Sequence, residues 1–181
     1  MAHAFKERGS RGDGSFEAID ISRLAQMVDN KDGVLVAFPI IRAESRAVVQ
    51  REAPTRLAGH GYDKLNRLVR KVQADLEVAL KLAKEEDPVV TPADEQDAED
   101  YFRLVGKKLP DAGGKPKSSM PDPGDRIIMI QAGKLVGNGR EVYVYSKDGH
   151  FVHYAKEIQD KWGFEVRNVV DLPGELLRAG F

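Results

Sequence analysis

The sequence predicts an α/β fold, a parallel twisted sheet flanked by helices in a single domain, and three observations predict it. Residues 34–38 are apolar at every position, which asks for burial on both faces and favours the middle of a parallel sheet. Leu65, Leu68, Val69, Val72, Leu76 and Leu80 recur at helical spacing, the mark of a long amphipathic helix. Strand-like and helix-like segments alternate along the chain, as in right-handed βαβ units.

Taken in order, residues 1–14 hold three glycines, mixed charge and no apolar periodicity, so they read as a flexible tail ahead of a domain over 15–181. Residues 16–21 suit a short strand, and Ser22 can cap a helix on which Leu24, Met27 and Val28 share a face. Asp32 and Gly33 mark a turn before the strand at 34–38, and a helix over 40–51 follows it. The long amphipathic helix is expected over 62–84, ended by Asp87-Pro88. Thr91 followed by Pro92 gives a cap and a proline at the first helical position, opening a helix to Val105.

Residues 107–124 break the pattern with four prolines, three glycines, two serines and four lysines, and read as a long loop. Loops longer than about 12–15 residues in compact domains are usually functional or disordered. Asp125 then begins a helix that Gly137-Asn138-Gly139 ends. Residues 142–147 are rich in β-formers, and Phe151, Tyr154, Ala155 and Ile158 predict one helix running to Trp162-Gly163. A strand over 164–167 and a short helix over 173–178 complete the chain, which has no internal repeat. Tyr143, Tyr145, Tyr154 and Trp162 are expected in the core.

A chain of 181 residues, 41% hydrophobic, can bury a sizeable core. No apolar run approaches the roughly 20 residues of a membrane helix, so a soluble protein without membrane contact is expected. It contains no cysteine, which excludes disulfides, thiolate nucleophiles and Cys-ligated zinc. Without a secretory apolar stretch at its start, a cytoplasmic location is expected. The formal charge of −1 argues against coating nucleic acid by bulk charge, so any such contact must be local. Charge is in fact segregated, with eight basic residues against three acidic ones over 42–71.

Ligands of open parallel sheets bind beyond the carboxyl ends of the strands. Four acids are expected there: Asp20 at the end of the first strand, Glu44 one turn after the second, Asp125 at its helix start and Asp148 after the strand at 142–147. Clustered carboxylates repel one another unless a cation lies among them, and hard oxygen ligands favour Mg²⁺ or Mn²⁺. Each acid also has a plain structural reading: Asp20 and Asp125 as helix caps, Asp148 in a turn with Gly149, and Glu44 in a salt bridge with Arg23 or Arg126. No glycine-rich phosphate loop follows any strand, which disfavours a nucleotide-binding domain.

Four short segments resemble the PIN-domain nucleases, a family that includes VapC-type toxins and RNA-processing nucleases. They are Ala18-Ile19-Asp20-Ile21-Ser22, Pro39-Ile40-Ile41-Arg42-Ala43-Glu44, Asp125-Arg126-Ile127-Ile128, and Tyr145-Ser146-Lys147-Asp148-Gly149-His150-Phe151. The stretch between Glu44 and Asp125 is longer than in the small toxins and resembles that of larger members. Ile21 replaces the usual Thr, and His150 stands where a further acid is common.

The resemblance implies a metal-dependent nuclease, an endoribonuclease or structure-directed enzyme, with Asp20, Glu44, Asp125 and Asp148 as catalytic metal ligands for Mg²⁺ or Mn²⁺. Ser22 and Ser146 would support the site by hydrogen bonds, and Arg42, Arg126 and Lys147 would neutralise substrate phosphates. RNA is the expected substrate ahead of DNA; an inhibitory or assembly protein and a second copy of the chain are further possible partners. The alternative is an inactive domain of this type that works as a binding or assembly protein, encoded by a phage or mobile element. His60, His150 and His153 invite a general-base reading, but metal-assisted hydrolysis does not require one, and His150 and His153 are expected on an exposed helix face.

Overall fold

The computed structural model of the protein describes residues 34–56, 62–106, 120–146 and 148–168. They fall into two compact units, divided between Glu86 and Asp87. The strand expected at 16–21, the helix from Ser22 and the short helix at 173–178 lie outside the described residues, as does 107–119 of the expected loop.

In the first unit, strand β1 (Val36–Ala37) leads into helix α1 (Pro39–Arg56), then helix α2 (Tyr62–Leu82) and strand β2 (Lys84–Glu85). The two strands pair in parallel, Val36 opposite Lys84 and Ala37 opposite Glu85. The apolar run at 34–38 is thus a strand for only two residues. Its start is not central, since Val34 is 60% exposed, whereas Ala37 and Phe38 are buried. Helix α1 begins at Pro39, where a missing N–H costs nothing.

Helices α1 and α2 form an antiparallel hairpin, because Arg46 meets Glu77 while Arg42, one turn earlier, reaches Leu80 and Ala83. The predicted periodicity of α2 supplies the core: Leu76 and Leu80 are buried with Ala37, Val49 and Ala83, and Leu68 and Val69 pack against them. Arg42 closes this core at one end. Its Nη1 and Nη2 donate to the carbonyls of Leu80 and Ala83 at 2.7 and 2.6 Å, and its Nε lies 3.0 Å from Glu85.

In the second unit, helices α3 (Pro92–Val105) and α4 (Pro123–Gly137) precede strand β3 (Tyr143–Ser146), helices α5 (Gly149–His153) and α6 (Ala155–Trp162), and strand β4 (Glu165–Asn168). Helix α3 has the predicted bounds. Thr91 and Asp94 form a capping box: the Thr91 side chain accepts from the Asp94 N–H, and Asp94 Oδ2 accepts from the Thr91 N–H at 2.8 Å. Helix α4 starts two residues before the expected Asp125, because Asp122-Pro123 repeats the cap-and-proline signal of Thr91-Pro92.

Strands β3 and β4 pair in parallel from Tyr143 opposite Glu165 to Ser146 opposite Asn168, with α5 and α6 as the crossover. The described strands therefore make two small parallel sheets rather than one. The expected helix over 151–162 breaks at Tyr154, whose backbone leaves helical geometry at φ −102° and ψ 14°. The spacing of Phe151, Tyr154 and Ile158 hides the break, because all three are still buried on one side.

The core of this unit is aromatic. Phe102 of α3 lies edge-on to Tyr154 at 5.1 Å between ring centres and tilted against Trp162 at 5.7 Å. Around them are Ala98, Met129, Ala132, Leu135, Ile158 and Phe164, all buried. Helix α4 approaches α6 closely only because residue 133 is glycine: a Cβ there would lie 2.6 Å from the Trp162 ring. Tyr143, expected in the core, is instead 39% exposed, and its ring stacks under the Arg167 guanidinium at 3.9 Å.

Candidate metal centre

The centre lies just beyond the carboxyl end of β3. Ser146 ends the strand, and its Oγ accepts the Asp148 N–H at 3.0 Å, which fixes the chain as it turns. Asp148 is the N-cap of α5, its Oδ1 accepting the His150 N–H at 2.7 Å. That tight turn carries the His150 ring inward, leaving the residue 5% exposed. Its Nδ1 sits 3.3 Å from Asp148 Oδ1 and 3.0 Å from Asp125 Oδ2.

Asp125 arrives from α4. The N-cap Asp122 accepts the Asp125 N–H at 2.9 Å, so the first turn of the helix holds the Asp125 backbone at the centre. Burial pushes the Asp125 carboxyl up to about 6, the negative charges of Asp122 and Asp148 push the same way, and the His150 hydrogen bond opposes them. A carboxylate at this position is therefore disfavoured without added positive charge.

Asp125, Asp148 and His150 each offer a ligand atom, all within 4.8 Å of one another, and the group could hold a metal ion. Around an ion with bonds of about 2.1 Å, neighbouring donors lie about 3.0 Å apart in octahedral and about 3.4 Å in tetrahedral geometry. The separations of 3.0 and 3.3 Å from the imidazole nitrogen match that range.

Of the predicted acids, the structure brings Asp125 and Asp148 together. Glu44 is an exposed residue of α1 in the first unit, and Asp20, Ser22 and Lys147 lie outside the described residues. Ser146 supports Asp148 as described. The two arginines expected at substrate phosphates are occupied inside the fold. Arg42 clamps the end of the helical hairpin, and Arg126 is buried, donating to the Pro121 carbonyl at 2.7 Å and facing Glu99 at 3.5 Å.

His150 corrects the expectation of an exposed helix face, which holds only for His153. The helical periodicity from Phe151 onward places His150 outward; the Asp148 cap, which starts a separate short helix, turns it in. A histidine two residues after a capping aspartate at a strand end was the available signal. The chain matches no family model, no curated protein and no solved structure.

Proposed function

We propose that the protein is a metal-dependent phosphodiesterase, an endoribonuclease of the PIN type, whose centre is built on Asp125, Asp148 and His150. The observation that carries this reading is the convergence of two carboxylates and an imidazole from two elements at a strand's carboxyl end, with both separations from the imidazole nitrogen in the range for donors of one cation. The resemblance of residues 145–151 to the family's last acidic segment supports it.

The imidazole nitrogen shifts the preferred cation from Mg²⁺ toward Mn²⁺, which accepts nitrogen donors more readily. A bound divalent cation supplies Lewis acidity toward a phosphate oxygen and an acidified water. The chain's own residues do the rest. Asp125 and Asp148 provide the negative charge that retains the cation, and Ser146 orients Asp148 through its backbone. Nδ1 of His150 lies 3.0 Å from Asp125 Oδ2, so a cation bound through that nitrogen would take the place of this contact. Phe151, which follows His150 in the short helix, is buried.

With labelled single-stranded RNA and Mn²⁺, cleavage is expected from the purified protein. EDTA abolishes it, and Asp148→Asn lowers the rate by about 100-fold or more; asparagine keeps the helix cap, so the fold is retained. Cleavage that persists in EDTA, or equal rates for the two proteins, defeats the proposal. A protein that neither cleaves nor gains thermal stability with Mn²⁺ is instead the inactive binding domain.

A further inference from the structure

Arg126 follows Asp125 in α4, but its side chain is buried in the second unit, the residue being 9% exposed. Its Nη1 donates to the Pro121 carbonyl at 2.7 Å, and its Nη2 lies 3.5 Å from Glu99 of α3, which Arg103 also holds. Pro121 is fully buried and stands just before the cap Asp122, ahead of the first carbonyl of the helical ladder. From there the path to the centre is short. Asp122 accepts the Asp125 N–H at 2.9 Å through its side chain and the Arg126 N–H at 3.0 Å through its carbonyl.

As packing alone this arrangement is costly. Nε of Arg126 is buried without a hydrogen-bond partner among the described residues, and replacing a buried ion pair by apolar side chains of similar size is often neutral or stabilising. What an apolar side chain would not supply is the tie from Glu99 through the guanidinium to the Pro121 carbonyl.

We infer that Arg126 is a positioning residue of the metal centre: by anchoring Pro121 to α3, it sets where the first turn of α4 presents Asp125 to Asp148 and His150. The inference rests on the metal-binding reading given above. The action runs through the backbone. The charges that act most on the Asp125 carboxyl are those of Asp122, Asp148 and His150, and Glu99 offsets the charge of the guanidinium. Donor separations of 3.0 and 3.3 Å leave little room for a displaced ligand. Residues that orient metal ligands from behind typically change affinity by about 10–100-fold when replaced.

The test is isothermal titration of manganese chloride into the full-length protein, at a temperature where each variant is folded by circular dichroism. Arg126→Met, which keeps the stem and removes the donors, is expected to weaken Mn²⁺ binding about 10-fold. Arg126→Lys, which retains a cationic donor, is expected to recover part of that loss. Leu135→Ala is the control for stability alone: it opens a cavity near the other end of α4 and should lower the melting temperature while leaving the Mn²⁺ affinity at the wild-type value. Should Arg126→Met fail to fold, Glu99→Gln carries the test, with weaker Mn²⁺ binding expected from a looser guanidinium. Wild-type affinity in Arg126→Met, or in Glu99→Gln where that variant decides, overturns the inference and leaves the metal centre standing. So does an equal loss of affinity in Leu135→Ala. A wild-type protein that binds no Mn²⁺ overturns the metal-binding reading and this inference with it.

Discussion

In EDTA at pH 8, Asp125→Asn is expected to melt above the wild type, and the advantage should disappear as the pH is lowered to 4. The Asp125 carboxyl is pushed up to about 6, against about 3.9 in an unfolded chain. The folded protein therefore holds this proton more tightly than the unfolded one between those values, and stability falls as pH rises through that window. Below it both states are protonated and the penalty is absent; above about 6 it is complete, on the order of 3 kcal/mol. Asparagine carries no charge to repel Asp122 and Asp148, yet its oxygen can still accept from His150 Nδ1. Mn²⁺ at about 1,000 times Kd reverses the ranking, because it adds about 4.1 kcal/mol to the wild type and little to the variant. Thermal melts across pH, with and without Mn²⁺, read both signs. An Asp125→Asn protein that melts lower than wild type in EDTA at pH 8 makes Asp125 a stabilising structural residue.

A larger loss is expected from Phe102→Ala, about 3–5 kcal/mol, because the ring is 1% exposed and fills the space between Tyr154 and Trp162. Its loss leaves a cavity that helices α3 and α6 cannot both collapse into, since Gly133 already lets Trp162 approach α4 as closely as it can. The effect reaches the centre as well. Tyr154 separates α5, which carries His150, from α6, and Phe102 packs edge-on against its ring. Urea unfolding should show the lower midpoint, and Mn²⁺ stabilisation should weaken in the same variant. Leu104, two residues along and 85% exposed, is the control, with a change within about 0.5 kcal/mol on substitution by alanine. Equal losses at both positions would place the core elsewhere.

The parts legible in the sequence were those that short-range chemistry determines. The cap Thr91 with Pro92 defines α3 at both ends because a capping box and a proline act within one turn. The apolar stripe of α2 identifies its buried side for the same reason. Strand β2 was not legible, since Lys84 and Glu85 carry no apolar alternation and are strand only by pairing with residues near Val36. Asp125 and Asp148 stood out as acids near element ends, but their partner did not. The inward turn of His150 depends on one hydrogen bond from its N–H to the Asp148 carboxylate and on a break at Tyr154 that preserves the apolar spacing. Arg42 and Arg126 looked like surface cations because sequence gives charge and not the carbonyls that await it.

Those carbonyls give Arg42 a further consequence. The last turn of a helix leaves its carbonyls without amide partners, and in α2 the guanidinium takes up Leu80 together with Ala83 beyond the helix end, beside the parallel strand pair. Separating the hairpin at that end would strand a desolvated cation and several acceptors at once. The amide protons of residues 76–83, held under this clamp and against the core, are therefore expected to exchange slowly with solvent, and Arg42→Ala is expected to speed them.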